Sequence, residues 1–289
     1  MYSRSTMSVI VPTSLRDALD ALAQVPAATV LAGGTDLMVE LNSGHRQVAD
    51  VVAVNRVPEL RTWHHQPATG SLFIGAGVTY AEIEQAPIAQ WAPALAQAAR
   101  TVGSPQIRHA ATIGGNLGTC SPAGDGLPVL SALDAVVHLQ SASGARDVPF
   151  EAFMVGPKRT VRQPGELITG VTVPVLAGWQ GYSKVGVRNA MVIAVASAAL
   201  VTDSLAGSVR LALGSVGPVI LRCPEAEAFA AGAARFEESA ISAAAVEEFV
   251  ALARAAARPI DDHRSTAAYR RHAVGVLAGR LLRRAFPNE

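Results

Sequence analysis

Two short stretches, Ala32-Gly33-Gly34-Thr35-Asp36-Leu37 and Thr112-Ile113-Gly114-Gly115-Asn116-Leu117-Gly118-Thr119, constrain the fold most, because each sets paired glycines between apolar runs. A Cβ blocks both left-handed backbone and close approach to a ligand, so Gly-Gly after a strand marks a turn or a point where backbone meets a bound group. Hydroxyl and amide side chains accompany the glycines: Thr35 in the first stretch, Thr112, Asn116 and Thr119 in the second. Backbone N–H groups at close range, completed by such side chains, are what a phosphate needs. Taken singly, each stretch is also an ordinary tight turn. Taken together, from separate units, they suit a pyrophosphate held between them, hence a dinucleotide.

The flanking pattern is of mixed α and β type. Leu15, Ala18, Leu19 and Leu22 recur at helical spacing after Val9-Ile10-Val11, and Ala28 to Leu31 reads as a strand running into Gly33-Gly34. Further strands are expected at 48–54, 72–77, 135–139 and 166–174, with helices at 80–84 and 91–102. After a boundary near 175–180 the pattern becomes three strands, at 181–188, 193–202 and 208–215, followed by helices at 224–231, 243–256 and 266–286. In the last helix Tyr269, Ala273, Val276 and Leu277 form the expected apolar stripe, and Arg270, Arg271, Arg280, Arg283 and Arg284 a solvated basic face.

Composition removes several function classes. Lys+Arg 24 against Asp+Glu 23 gives net charge +1, which offers no field for nucleic acid. The uncharged run 190–201 falls short of the roughly 20 residues that cross a bilayer, so it is expected to be a buried strand. No basic segment leads into an apolar stretch at the N-terminus, and the cytoplasm is the expected location. No H-E-x-x-H or G-x-S-x-G occurs, nor the G-x-x-x-x-G-K-[ST] of nucleotidases. Adjacent His64 and His65 would point to opposite faces of a strand, and both are expected to be exposed. The two cysteines, Cys120 and Cys223, stand apart, and Cys120 is expected to be a small apolar side chain in a packed turn.

The pair A-G-G-T-D-L and T-I-G-G-N-L resembles the FAD signature of the flavin-binding medium subunits of molybdenum hydroxylases. Ser104-Pro105-Gln106-Ile107-Arg108, Tyr182-Ser183-Lys184-Val185-Gly186 and Arg188-Asn189-Ala190 extend the resemblance over the whole chain. This is the xanthine dehydrogenase and carbon monoxide dehydrogenase family, and the xanthine dehydrogenase type is the nearer match. The resemblance implies an α+β protein: a para-cresol methylhydroxylase-type FAD-binding domain of two α+β subdomains, 1–57 and 58–177, and a C-terminal α+β domain, 178–289, with a three-stranded meander plus helices. It implies FAD between the subdomains, with Leu31, Ala32, Gly33, Gly34, Thr35, Asp36 and Leu37 along one side and Thr112, Ile113, Gly114, Gly115, Asn116 and Thr119 along the other. Ile168 joins this set, Asp125 would bond the ribityl hydroxyls, and Lys184 would approach the isoalloxazine, where a cation stabilises negative charge on reduced flavin. Asp36 and Asp125 have a second reading as turn caps, Lys184 as a solvent-facing residue, and Arg108 as one half of a salt bridge.

The resemblance also implies partners. Two [2Fe–2S] centres need about eight thiolates, and this chain has two cysteines. The clusters are therefore expected in a small iron–sulfur subunit, and molybdopterin in a large molybdenum subunit. Electrons would pass through FAD to an external acceptor: NAD+, oxygen or a quinone-linked carrier. The complex would oxidise xanthine, hypoxanthine, another N-heterocycle or an aldehyde, with no hydroxylation by this chain alone. Covalent flavin would need a residue such as His109, whose structural role is preferred, so FAD is expected to be noncovalent. The alternative is a self-contained FAD-dependent oxidoreductase of the same fold.

Overall fold

The computed structural model describes residues 7–289. The first unit is a parallel sheet of β1 (Ser8–Ile10), β2 (Thr29–Leu31) and β3 (Asp50–Ala53) in the order β1-β3-β2. Between β1 and β2 runs the helix Leu15–Gln24, started by Ser14, whose hydroxyl accepts the Asp17 amide, and buried through Ala18, Leu19, Ala21 and Leu22. The helical spacing of those apolar residues is what lays one face on the core.

The second unit is antiparallel. It contains β4 (Trp63–Gln66), β5 (Ser71–Gly75), β6 (Val136–Ser141) and β7 (Gly144–Pro149), then a hairpin of β8 (Met154–Gly156) and β9 (Arg159–Thr160), then β10 (Leu167–Pro174). Sheet order is β4-β5-β10-β6-β7, so the last strand of the unit lies at the centre of its sheet. A bulge between Ile168 and Gly170 leaves the Thr169 carbonyl free to accept the Ala76 amide. The helix expected over 91–102 is broken: Ile88–Trp91 and Pro93–Thr101 flank Ala92, whose backbone is pushed out of the helical region by the proline after it.

The third unit is the expected meander, β11 (Gln180–Val185), β12 (Ala196–Asp203) and β13 (Ser208–Gly214), extended by a two-residue β14 (Leu221–Arg222). Helices Pro224–Ala233, Ala243–Ala256 and Ala267–Ala285 cover one face. β12 is buried on both sides: Ala199 and Val201 join the core of the first two units, while Ala196, Ala198 and Leu200 join a second core under those helices. That double burial explains the uncharged stretch from Ala196 to Val201; the first half of the run expected as a buried strand, 190–195, is instead the connection before β12, with Met191 and Ile193 exposed.

The final helix departs from its expected stripe. Tyr269 is exposed, whereas Arg270 is buried and donates to the carbonyls of Val195 (2.7 Å) and Ser215 (3.0 Å) and to Asp262 Oδ1 (2.7 Å). Residues 273–275, 277–279 and 281–282 are all buried, because the helix packs on both β12 and the neighbouring helix and needs a wide apolar face. Arg271, Arg280, Arg283 and Arg284 are exposed as expected. Among the described residues no helix is long and apolar enough to cross a membrane.

Candidate cofactor-binding site

β2 ends at Leu31, and the chain turns through Ala32 to Asp36 before the helix Leu37–Asn42. Gly33 packs so closely on Ala110 that a Cβ there would overlap the Ala110 carbonyl, and Gly34 has φ +70°. Both positions therefore require glycine. Among the described residues, the amides of Gly33, Gly34, Thr35 and Asp36 donate no hydrogen bond to protein, while the carbonyls of Gly34 and Asp36 accept from Met38, Val39 and Glu40. Four consecutive free amides on a partly open turn form a donor set for an anion. Asp36 takes the residue position before the helix, but its side chain makes no capping bond, so the turn-cap reading does not describe it.

The second motif is not a loop. Thr112 caps the helix Ile113–Thr119, its hydroxyl accepting the Gly115 amide at 3.0 Å. The Ile113 amide bonds Val78 O at 3.0 Å and the Gly114 amide bonds Ala76 O at 2.9 Å. Three amides that the sequence suggests as phosphate donors are thus bound within the protein, and Gly114 is glycine because a Cβ would press on Ala76. Ile113 is fully buried and presents no side chain to a ligand. The Asn116 Oδ1 accepts the Tyr80 hydroxyl at 2.7 Å, which fixes its amide beside the turn at Gly124. Gly118 and Thr119 end the helix on an open side, with Ile168 reaching toward Gly118.

The two motifs meet where Gly33 rests on Ala110, two residues before Thr112. Leu31, Ala32, Thr35 and Leu37 are half-buried around this contact, and Ile168 is buried. Asp125 and Lys184, 59 residues apart, are brought into direct contact: Lys184 Nζ lies 2.5 Å from Asp125 Oδ2, with side chains about one-tenth exposed. Tyr182 donates to Asp125 Oδ1 at 2.8 Å, and the Thr101 hydroxyl lies between two acceptors, the Ala98 carbonyl at 2.8 Å and Asp125 Oδ2 at 3.2 Å. Burial pushes the Asp125 carboxyl up, against the pull of Lys184, Tyr182 and Thr101, which favour its charged form. Burial, reinforced by Asp125, likewise raises the Tyr80 and Tyr182 hydroxyls, so both remain donors. Lys184 faces inward, in contrast to the solvent-facing reading. The sequence reading omitted Tyr80 and Thr101; nothing local marks either, since their partners are distant in the chain.

Other expectations divide. Arg108 pairs with Glu84, and His109 is an exposed residue whose Nδ1 lies 2.8 Å from the Pro105 carbonyl. His64 and His65 do face opposite ways, but only His64 is exposed; His65 is half-buried and stacks on Trp91 with centroids 4.5 Å apart, because β4 packs that face on the helix Ile88–Trp91. Cys120 and Cys223 are free and buried, which pushes their thiols up to about 11 and about 12. Among the described residues no cluster of three His, Cys, Asp or Glu is placed to hold a metal ion.

Residues 5–176 match the family described as the FAD binding domain in molybdopterin dehydrogenase. The chain belongs to that family. Residues 182–285 of this molybdopterin dehydrogenase flavoprotein match the CO dehydrogenase flavoprotein C-terminal domain. It is 34% identical over 269 residues to the glyceraldehyde dehydrogenase medium chain of Sulfolobus acidocaldarius, covering 91% of this chain and 92% of that one. It is 32% identical to the putative xanthine dehydrogenase FAD-binding subunit of Escherichia coli, covering 74% and 75%. Its structure resembles the reconstituted CO dehydrogenase from Oligotropha carboxidovorans with a TM-score of 0.89 and 27% identity, covering 98% and 99%. The flavoprotein is an oxidoreductase subunit of the medium, FAD-binding kind. The free amides of the first turn, beside a backbone contact that admits no Cβ, fit the diphosphate of FAD.

Proposed function

We propose that this chain holds one noncovalent FAD and relays electrons to it from the [2Fe–2S] centres of a small partner subunit, delivering them to NAD+, oxygen or a quinone-linked carrier. A large partner subunit holds molybdopterin and oxidises the substrate, a purine such as xanthine or hypoxanthine, another N-heterocycle, or an aldehyde. The assembly works in the cytoplasm as a heterotrimer. The cofactor lies between units 1–57 and 58–177, with 178–289 as the third unit. FAD supplies the redox chemistry; the residues of this chain bind its diphosphate, orient it and exclude water from one side. The observation that carries the reading is the run of free amides at Gly33 to Asp36.

The experiment is reconstitution. The chain expressed alone should take up FAD and release all of it into the supernatant on acid denaturation, and it should not hydroxylate hypoxanthine, xanthine or nicotinate. Co-expressed with iron–sulfur and molybdenum partners, its flavin should be reduced when substrate is added. Substrate turnover by the isolated, metal-free chain would refute the relay.

A further inference from the structure

Besides the contact of Gly33 with Ala110, the two glycine motifs are joined through the hairpin of β8 and β9. Its two-residue tip is Pro157-Lys158, since Gly156 pairs with Arg159. The Lys158 amide donates to the carbonyl of Cys120 at 3.0 Å, and Cys120 ends the helix Ile113–Thr119 of the second motif. The Cys120 thiol in turn donates to the Arg159 carbonyl at 3.6 Å. The Lys158 side chain reaches the other motif: its ammonium bonds Glu40, on the helix Leu37–Asn42 that follows the first glycine turn. These partners lie 118 positions apart. Among the described residues they form the only ion pair between the unit of the parallel sheet and the unit of the five-stranded antiparallel sheet.

Lys158 has φ +56°, in the left-handed region where glycine would be relaxed. Strain of this kind persists only where surrounding contacts over-determine it. Here those contacts are the Cys120 carbonyl and Glu40. Arg46 also reaches Glu40, at 3.4 Å, and bonds the Thr29 hydroxyl at the start of β2, so the carboxylate is held between two cations. The Lys158 ammonium keeps the Glu40 carboxyl below the usual carboxylate range, and the pair is fully charged at neutral pH. The Asp36 carbonyl accepts the Glu40 amide at 3.2 Å and the Gly34 carbonyl accepts the Met38 amide at 3.0 Å. The placement of this helix therefore sets where the free amides of Gly33 to Asp36 point. Donors fixed before a ligand arrives lose less freedom on binding it.

We propose that Lys158 is a positioning residue: it fastens the helix behind the first glycine turn to the end of the second motif, and so slows the release of FAD without contacting the cofactor itself. The claim about FAD rests on the proposed function; the claim about the fastening does not.

The test follows FAD dissociation from the full chain by flavin fluorescence, beside thermal unfolding, in Lys158→Gly, Lys158→Arg, Glu40→Gln and the double variant Lys158→Gly with Glu40→Gln. Lys158→Gly should release FAD about two- to fivefold faster, the range an exposed ion pair carries. Its unfolding temperature should stay level or rise, because glycine relieves the left-handed backbone. Glu40→Gln should act in the same direction, the double variant no more than the worse single variant, and Lys158→Arg should keep the parent rate. Added salt should speed release from the parent and leave the double variant unchanged. A parent rate in Lys158→Gly or in Glu40→Gln overturns the proposal, and an effect of Lys158→Gly without one of Glu40→Gln would put the ammonium on the cofactor instead. Faster release matched by a lower unfolding temperature in Lys158→Gly reduces the residue to hairpin stability and overturns it too. A parent chain that takes up no FAD removes the proposed function; amide exchange at Val39 and Glu40 then decides the fastening, faster in Lys158→Gly if it holds and equal to the parent if it does not.

Discussion

At the scale of single residues, glycine does two different jobs here, and they predict different mutants. Gly33 is bare because the Ala110 backbone occupies the place of its Cβ, and a carbonyl cannot rotate away as a side chain can. Gly33→Ala should therefore shift the turn and cost FAD affinity well over about tenfold, equivalent to about 1.4 kcal/mol, read by flavin fluorescence titration. Gly44 has φ +71° but open space around it. Gly44→Ala should cost about 1 kcal/mol of stability through backbone strain alone and leave flavin affinity unchanged. Equal affinities for parent and Gly33→Ala would mean that the turn does not meet the cofactor. Asp262 gives a pH prediction. Burial pushes its carboxyl up, but the Arg264 amide, the Arg270 guanidinium and the Ser265 amide outweigh that and hold it at about 2. A depressed carboxyl adds stability above its unfolded value of about 4 and loses it as pH falls toward about 2. The difference in urea midpoint between the parent and Asp262→Asn should be constant above that window and shrink within it.

At the scale of elements, the helix Ile113–Thr119 forms despite glycine at 114, 115 and 118. Its intrinsic propensity is poor, so the Thr112 cap and the burial of Ile113 and Leu117 must hold it. Gly118 is exposed, and a Cβ there would meet Ile168 Cδ1 at an ordinary 3.8 Å. Gly118→Ala should raise stability by about 1 kcal/mol, visible as a higher unfolding temperature; a lower one would show that the site is crowded. Sequence reading found the strand before the first turn because Ala28 to Leu31 is a local pattern. It did not find this helix, since paired glycines argue for a loop and only tertiary contacts argue otherwise. Nor could it place β10 between β5 and β6, because that pairing joins residues about a hundred positions apart. In the candidate site, the glycine motifs were legible as words, but the direction of their amides was not. Which N–H groups stay free depends on whether Val78 and Ala76 reach Ile113 and Gly114.

At the scale of the whole molecule, the third unit is attached by buried polar groups as well as apolar surface. Arg270, read from sequence as part of a basic face, instead ties the last helix to β12, to the end of β13 and to Asp262. Replacing it with Met leaves the Val195 and Ser215 carbonyls without this donor and Asp262 with only the Arg264 and Ser265 amides, and should cost about 3 kcal/mol in urea unfolding; a loss below about 1 kcal/mol would show that these bonds do not hold the helix. The same argument joins Asp125 to Lys184 across the molecule, which no window of sequence displays.

β12 separates two interiors, and its inner pavement is mostly alanine: Ala196 and Ala198 toward one, Ala199 toward the other. A partition this thin leaves the layers on either side almost within reach of each other. Any methylene added to one surface displaces neighbours that the other interior also uses, so compensating changes must come in matched sets from both halves. Exchange of the C-terminal half between relatives should then succeed only when the first half travels with it, and the two halves inherit as one unit.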